Sequence, residues 1–209
     1  MKLYHCRDSR SLRPLWALEE MGIPYQLEDL PFPPRLFRKE YLGINPLGTV
    51  PYFVDGETRM TESVAICHYL VERYRRHDLG LLPDHPEYGS YLNWLYHSDA
   101  TLTFPQTIVL RYRHLEPPER QLAQAVHDYR GFFLGRLKLL DAHIATREWL
   151  CDGRFTIADI CIGYALYLGS LPLVDAADGY SPKVSAYLGR LMARPAFQRA
   201  AALGAPLFG

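Results

Sequence analysis

The chain has 209 residues, 48% of them apolar and 22% charged, with 23 basic side chains balanced by 23 acidic ones. That is the composition of a soluble globular protein with one large domain or two small ones, and its neutral balance gives no electrostatic footprint for nucleic acid or an anionic membrane. No uninterrupted apolar run reaches membrane-spanning length, and "MKLYHC" turns polar too soon for a signal peptide. The four cysteines, Cys6, Cys67, Cys151 and Cys161, show neither CxxC spacing nor a histidine at metal-ligand distance. A chain of reduced thiols in the cytoplasm, with no metal, is expected.

In chain order, "KLYHC" reads as a first strand. Leu12, Leu15, Trp16, Leu18 and Met21 then recur at spacings of three and four, predicting a helix over 12–21 stopped by Gly22. "PYQLEDL" suits a second strand, and "PRLFRKEYLGINP" a short helix. "VPYFVDGETRMTE" predicts a hairpin about Asp55-Gly56. From Ser63 the helical period returns through Val64, Cys67, Val71 and Tyr74. After His77 two prolines and a glycine interrupt a charged stretch, so residues 78–87 read as a linker between domains 1–77 and 88–209. Strand signals then largely vanish. Helices are expected over 88–114, interrupted near Pro105, and over 119–146, 157–171, 181–192 and 195–203. The segment 157–171 is apolar nearly all round, as a central buried helix should be. A βαβαββα domain is thus followed by an all-helical one.

Three stretches have the residues for chemistry or for capping. In "NPLGTVPYF", Pro51 opens a strand without donating an N–H to the ladder. Were the Val50–Pro51 bond cis, the Val50 N–H and C=O would face outward as a one-residue edge for an antiparallel, peptide-like ligand; an ordinary trans proline is the plain alternative. In "TES", Ser63 offers a hydroxyl and first-turn N–H groups to a carboxylate, and Glu62 an acceptor to an ammonium, which together suit an α-amino acid. The plain alternative is a simple N-cap with an acidic residue in the favourable field of the helix. In "FTIADI", Thr156 and Asp159 fit a capping box for the buried helix that follows, a folding role.

The pieces "SRSLRPLWALEEMGIPY", "NPLGTVPYFVDGETRMTES", "NWLYHSDATL" and "FTIADI" follow one another at a spacing that resembles the cytosolic-type glutathione S-transferases, over nearly the whole chain. The resemblance implies a thioredoxin-like N-terminal domain that binds glutathione as co-substrate and an all-helical C-terminal domain that meets a small hydrophobic electrophile. It implies a cis Pro51, Val50 paired with the cysteinyl part of glutathione, and Glu62 and Ser63 on its γ-glutamyl end. It further implies a homodimer, in which Asp99 of "HSDAT" reaches the γ-glutamyl amine bound by the partner subunit; a solvated helix carboxylate is the alternative for Asp99. The expected reaction is activation of the glutathione thiol for attack on the electrophile. The other readings are a glutathione-dependent isomerase and a non-catalytic binding or scaffold protein of the same fold.

Related branches place the thiol-activating residue where this chain has Asp8, Ser9 and Arg10. A carboxylate repels a thiolate and an arginine holds one loosely, which leaves the Ser9 hydroxyl as donor. Ser11 is the rival. Pro14 clashes with a helical carbonyl four residues back, so the helix starts near Ser11 or Leu12, and Ser11 is expected to spend its hydroxyl as an N-cap. Cys6 is expected in the core rather than in redox chemistry. For the second substrate the aromatic helix offers Tyr96, Phe104, Leu110 and Tyr112, whose spacing also fits core residues. Arg111 and Arg113 either meet an anionic substrate or face solvent.

Overall fold

The computed structural model describes residues 1–205. They divide into two compact units, Met1–Gly80 joined by the segment from Met192 onward, and Leu81–Leu191.

The first unit is built on a four-stranded sheet. Strands β1 (Lys2–His5), β2 (Gln26–Asp29), β3 (Tyr52–Asp55) and β4 (Thr58–Met60) lie in the order β2-β1-β3-β4. β1 runs parallel to β2 in the register Lys2↔Gln26 to His5↔Asp29, and antiparallel to β3. β3 and β4 form the predicted hairpin, with Gly56 in the left-handed conformation (φ 57°) that its turn requires. Helix α1 (Leu12–Met21) ends at Gly22, also left-handed (φ 64°), whose N–H returns to the Leu18 carbonyl. The "PRLFRKEYLGINP" stretch folds as two pieces, α2 (Pro34–Phe37) and a 3₁₀ turn over Lys39–Gly43. Helix α3 (Ser63–Arg73) closes the βαβαββα order. The Asp55 carboxylate ties it to the hairpin by accepting from the Tyr69 and Tyr74 hydroxyls at 3.1 and 2.8 Å.

Every residue from Leu12 to Leu18 is buried, because α1 packs on α3 and also on α9 (Pro195–Ala202). Trp16 meets Phe197 edge-on, the Arg194 guanidinium grips Glu20 with two hydrogen bonds of 2.6 and 2.9 Å, and Arg199 pairs with Glu19 at 2.6 Å. The expected division at 1–77 and 88–209 therefore differs in one element: α9 belongs to the sheet-containing unit, since its aromatic and basic residues find their partners on α1.

The second unit is helical. α4 (Tyr88–Tyr96), a π-helical segment His97–Thr103, α5 (Phe104–Leu110) and a second π-helical segment Arg111–Leu115 follow one another without a break. The interruption expected at Pro105 is instead absorbed by the π turn: the Phe104 N–H reaches back five residues to the Asp99 carbonyl. Nearby carbonyls are served by side chains, Thr103 Oγ1 bonding Ser98 O (2.7 Å) and buried Gln106 Nε2 bonding Leu102 O and Ala165 O (2.9 Å each). α6 (Ala123–His143), α7 (Ile157–Ser170) and α8 (Pro182–Met192) complete the unit. α7 is buried from Ile157 to Gly169. Its N-terminus carries the full capping box, the Thr156 hydroxyl accepting from Ala158 N and the Asp159 carboxylate from Thr156 N at 2.8 Å. Among the described residues no helix is long and apolar enough to cross a membrane.

Candidate active site

The loop between β1 and α1 is a knot of hydroxyls. Ser9 Oγ donates to the Cys6 carbonyl and lies against Ser11 Oγ, both at 2.7 Å. Ser11 Oγ also meets His5 Nδ1 at 2.7 Å and accepts from Cys6 N at 3.3 Å. Ser9 is 7% exposed and Ser11 fully buried. Two expectations change here. Ser11 does not cap α1: its backbone is helical (φ −67°, ψ −13°) and no side-chain cap bond forms. The turn before the helix already serves the first donors, Leu12 N going to Ser9 O, Arg13 N to Arg10 O and Leu15 N to Ser11 O, while Pro14 has no N–H. With no orphan N–H to satisfy, the Ser11 hydroxyl turns to His5 instead. Nor is Ser9 freer than Ser11 of internal partners. Yet the Cys6 carbonyl also accepts from Ser9 N (3.2 Å) and Ser11 Oγ (3.3 Å), so the Ser9 proton can swing outward without orphaning it.

His5 beneath the knot is fully buried, and burial pulls its pKa down to about 4 against the opposing charge of Asp29. It is therefore neutral at neutral pH. The unfolded chain takes up this proton near pH 6.5 and the folded chain only near pH 4. Stability is thus intact above pH 6.5 and declines as the pH falls toward 4, by up to about 3 kcal/mol. Urea unfolding of wild type and His5→Gln across that range checks this, the variant being expected to show the flatter profile. Cys6 is 1% exposed, and burial first and Asp29 second push its thiol up to about 12, which makes it the expected inert core residue.

The Val50–Pro51 bond is cis. The loop before it is pinned at the Thr49 carbonyl, which accepts from Tyr41 Oη and buried Asn45 Nδ2 at 2.9 Å each. The Val50 N–H and C=O make no hydrogen bond among the described residues. Half-buried Val50 thus presents an unpaired edge immediately before β3.

At the start of α3, Glu62 is exposed in an extended conformation (φ −86°, ψ 113°) with no side-chain cap bond, and its carboxylate, which accepts a long bond from Thr61 Oγ1 (3.4 Å), has room for a further donor. The N–H groups of Ser63, Val64 and Ala65 have no acceptor among the described residues. Ser63 is 3% exposed, and its Oγ accepts from Arg13 Nη1 at 3.0 Å, which frees the hydroxyl proton for a ligand. Arg13 is fully buried in the first turn of α1. It is the residue sequence reasoning missed. The only signal was a lone cation in a turn whose other side chains are apolar. Orphan N–H groups in front and a buried guanidinium behind make this helix end a place for an anion.

In the second unit, Asp99 is half-buried within the π-helical segment, a kind of local rewinding frequent at functional sites. Tyr96 and Phe104 are 68% and 54% exposed and so are not core residues, while Tyr112 is half-buried with the Arg111 guanidinium 5.8 Å from its ring. Arg111 pairs with Glu116 at 2.7 Å and Arg113 Nη1 donates to the Val174 carbonyl.

A mixed four-stranded sheet domain with a cis-proline at the strand edge, followed by an all-helical domain, defines the thioredoxin-like transferase architecture. The chain belongs to the cytosolic-type glutathione S-transferase family: it matches "Glutathione S-transferase, N-terminal domain" over residues 1–72 and "Glutathione S-transferase, C-terminal domain" over 104–195. It is 30% identical to glutathione S-transferase 2 of Schizosaccharomyces pombe, across 86% of this chain and 85% of that protein. It is 28% identical to the probable glutathione S-transferase GSTF1 of Oryza sativa subsp. japonica, across 93% and 91%. Among solved structures, a glutathione transferase from Methylococcus capsulatus str. Bath superposes with TM-score 0.80 at 26% identity, over 96% of each chain. The ternary complex of BphK, a bacterial glutathione S-transferase, superposes with TM-score 0.82 at 24% identity over 96% of this chain and 98% of that one, a likeness of fold.

Proposed function

We propose that the protein is a glutathione transferase that activates the glutathione thiol for attack on a hydrophobic electrophile. The observation that carries this reading is the start of α3, where three N–H groups without an acceptor among the described residues accompany the Ser63 hydroxyl, itself bonded to buried Arg13. The α-carboxylate of the γ-glutamyl group binds there, with its ammonium on Glu62 and on Asp99 from the partner of a homodimer. The cysteinyl N–H and C=O pair with the Val50 edge. The thiol then lies at the Ser9 loop, where the hydroxyl, turned outward from Cys6 O, donates to sulfur. Free thiols have a pKa near 8.5, so such a bond favours the anion at neutral pH. The thiolate attacks an electrophilic carbon, a C–S bond forms, the leaving group departs with its electron pair, and the thiol proton passes to solvent. Tyr96, Phe104 and Tyr112 supply apolar surface for the electrophile.

One observation favours a second reading, a glutathione-binding protein without turnover: both loop hydroxyls are engaged internally. Conjugation of 1-chloro-2,4-dinitrobenzene by wild type and Ser9→Ala separates the two. Turnover in wild type, falling roughly 10- to 100-fold in the variant, is expected, since a hydrogen bond to a charged group contributes about 1.5–3 kcal/mol. The apparent pKa of the bound thiol should also climb toward its free value in the variant. Binding without turnover supports the second reading, and undiminished activity in Ser9→Ala removes Ser9 from the mechanism.

A further inference from the structure

β1 and β2 are parallel and end together, His5 beside Asp29, and the chain leaves them for different helices. A cavity of about 400 Å³ opens there, entirely within the first unit. Leu30, Phe32 and Phe37 give it apolar walls, Cys6 lines it from the end of β1, and Ala205 closes it from beyond α9. Phe37, 64% exposed, offers much of its ring to a ligand. Cys6 joins this cavity to the hydroxyl knot, because its carbonyl holds Ser9.

Among the described residues that line the cavity, Asp29 is the charged one. Its carboxylate is held in place: Ala205 N donates to Oδ2 at 3.2 Å, and Gly204 (φ 82°) passes so close that an added Cβ would lie 2.8 Å from Oδ1. Asp29 is exposed, so its carboxylate stands at the solvent-facing rim of the apolar cavity. It attracts an ammonium or N–H donor and repels a second carboxylate.

We infer that this cavity receives part of the electrophile and that Asp29 makes the protein selective for flat, apolar electrophiles bearing a cationic or hydrogen-bond-donating substituent, against anionic ones. The inference rests on the transferase reading for the word electrophile, but the recognition is tested without turnover. Binding of 4-nitrobenzylammonium and of 4-nitrobenzoate to the glutathione-free protein is measured at low salt by ligand-observed NMR, in wild type, Asp29→Asn and Phe37→Ala. Asparagine keeps an acceptor for Ala205 N, so the fold is retained. Wild type should prefer the ammonium by about tenfold. Asp29→Asn should bring the two within about threefold. Phe37→Ala should weaken both by a similar factor while keeping the preference. Equal binding of the two probes to wild type, a preference that persists in Asp29→Asn, or no binding of either probe overturns the inference. Failure of the transferase reading shows separately, as absent conjugation in the presence of glutathione.

Discussion

Asp159→Ala should destabilise the helical unit by about 4–6 kcal/mol, the largest loss of stability expected from a single substitution in this protein. Asp159 is fully buried at the third position of α7. Its Oδ1 accepts from Tyr187 Oη at 2.7 Å and Leu150 N at 3.1 Å, and its Oδ2 from Thr156 N at 2.8 Å. The Thr156 hydroxyl also donates to Oδ2 at 3.2 Å, so truncation removes the acceptor of four donors, at about 1–3 kcal/mol for each one left buried and unpaired. A domain of this size is stable by only about 5–15 kcal/mol, so much of the margin goes. Thr156→Ala should cost less, about 1 kcal/mol, since it removes one cap acceptor and one of the four donors to Asp159. Urea unfolding followed by far-ultraviolet circular dichroism ranks the two. An Asp159→Ala protein within about 1 kcal/mol of wild type would show that the box is not what holds α7.

Ser63→Ala should have the largest effect on ligand binding. The hydroxyl links the buried Arg13 guanidinium to the start of α3. Its Oγ accepts from Arg13, so its proton is both free and polarised for an anion. Alanine removes that donor and the acceptor of one Arg13 N–H at once. A hydrogen bond to a charged group contributes about 1.5–3 kcal/mol, so binding of a carboxylate there should weaken about 10- to 100-fold. Because the Ser63, Val64 and Ala65 N–H groups remain, some affinity should survive.

Much of what rested on short-range signals was legible in the sequence. The spacing of Leu12, Leu15, Trp16, Leu18 and Met21 with Gly22 behind it places α1 at Leu12–Met21 as observed. Asp55-Gly56 places the hairpin, and Thr156 with Asp159 the capping box. The resemblance, not the local pattern, pointed to the cis bond at Pro51. What stayed hidden depends on residues brought together by the fold. His5 claims the Ser11 hydroxyl from the preceding strand, so a residue that reads as an N-cap is none. Arg13 and Ser63 are 50 positions apart, and Arg194 meets Glu20 across 174. No periodicity in a single segment encodes such pairings. The register His5↔Asp29 and the return of the chain at Ala205 likewise make the Asp29 cavity a product of tertiary structure alone.

The proposed anchor for the γ-glutamyl end of glutathione is the start of α3, backed by Arg13. S-methylglutathione keeps every group that would bind there but has no thiol to activate, so its binding is independent of the Ser9 loop. Calorimetric titration into wild type, Ser63→Ala and Ser9→Ala is the direct measurement. Saturable binding to wild type is expected, with affinity lower by about 10-fold or more in Ser63→Ala and near-wild-type affinity in Ser9→Ala. No binding to wild type, or equal affinity in wild type and Ser63→Ala, would contradict it.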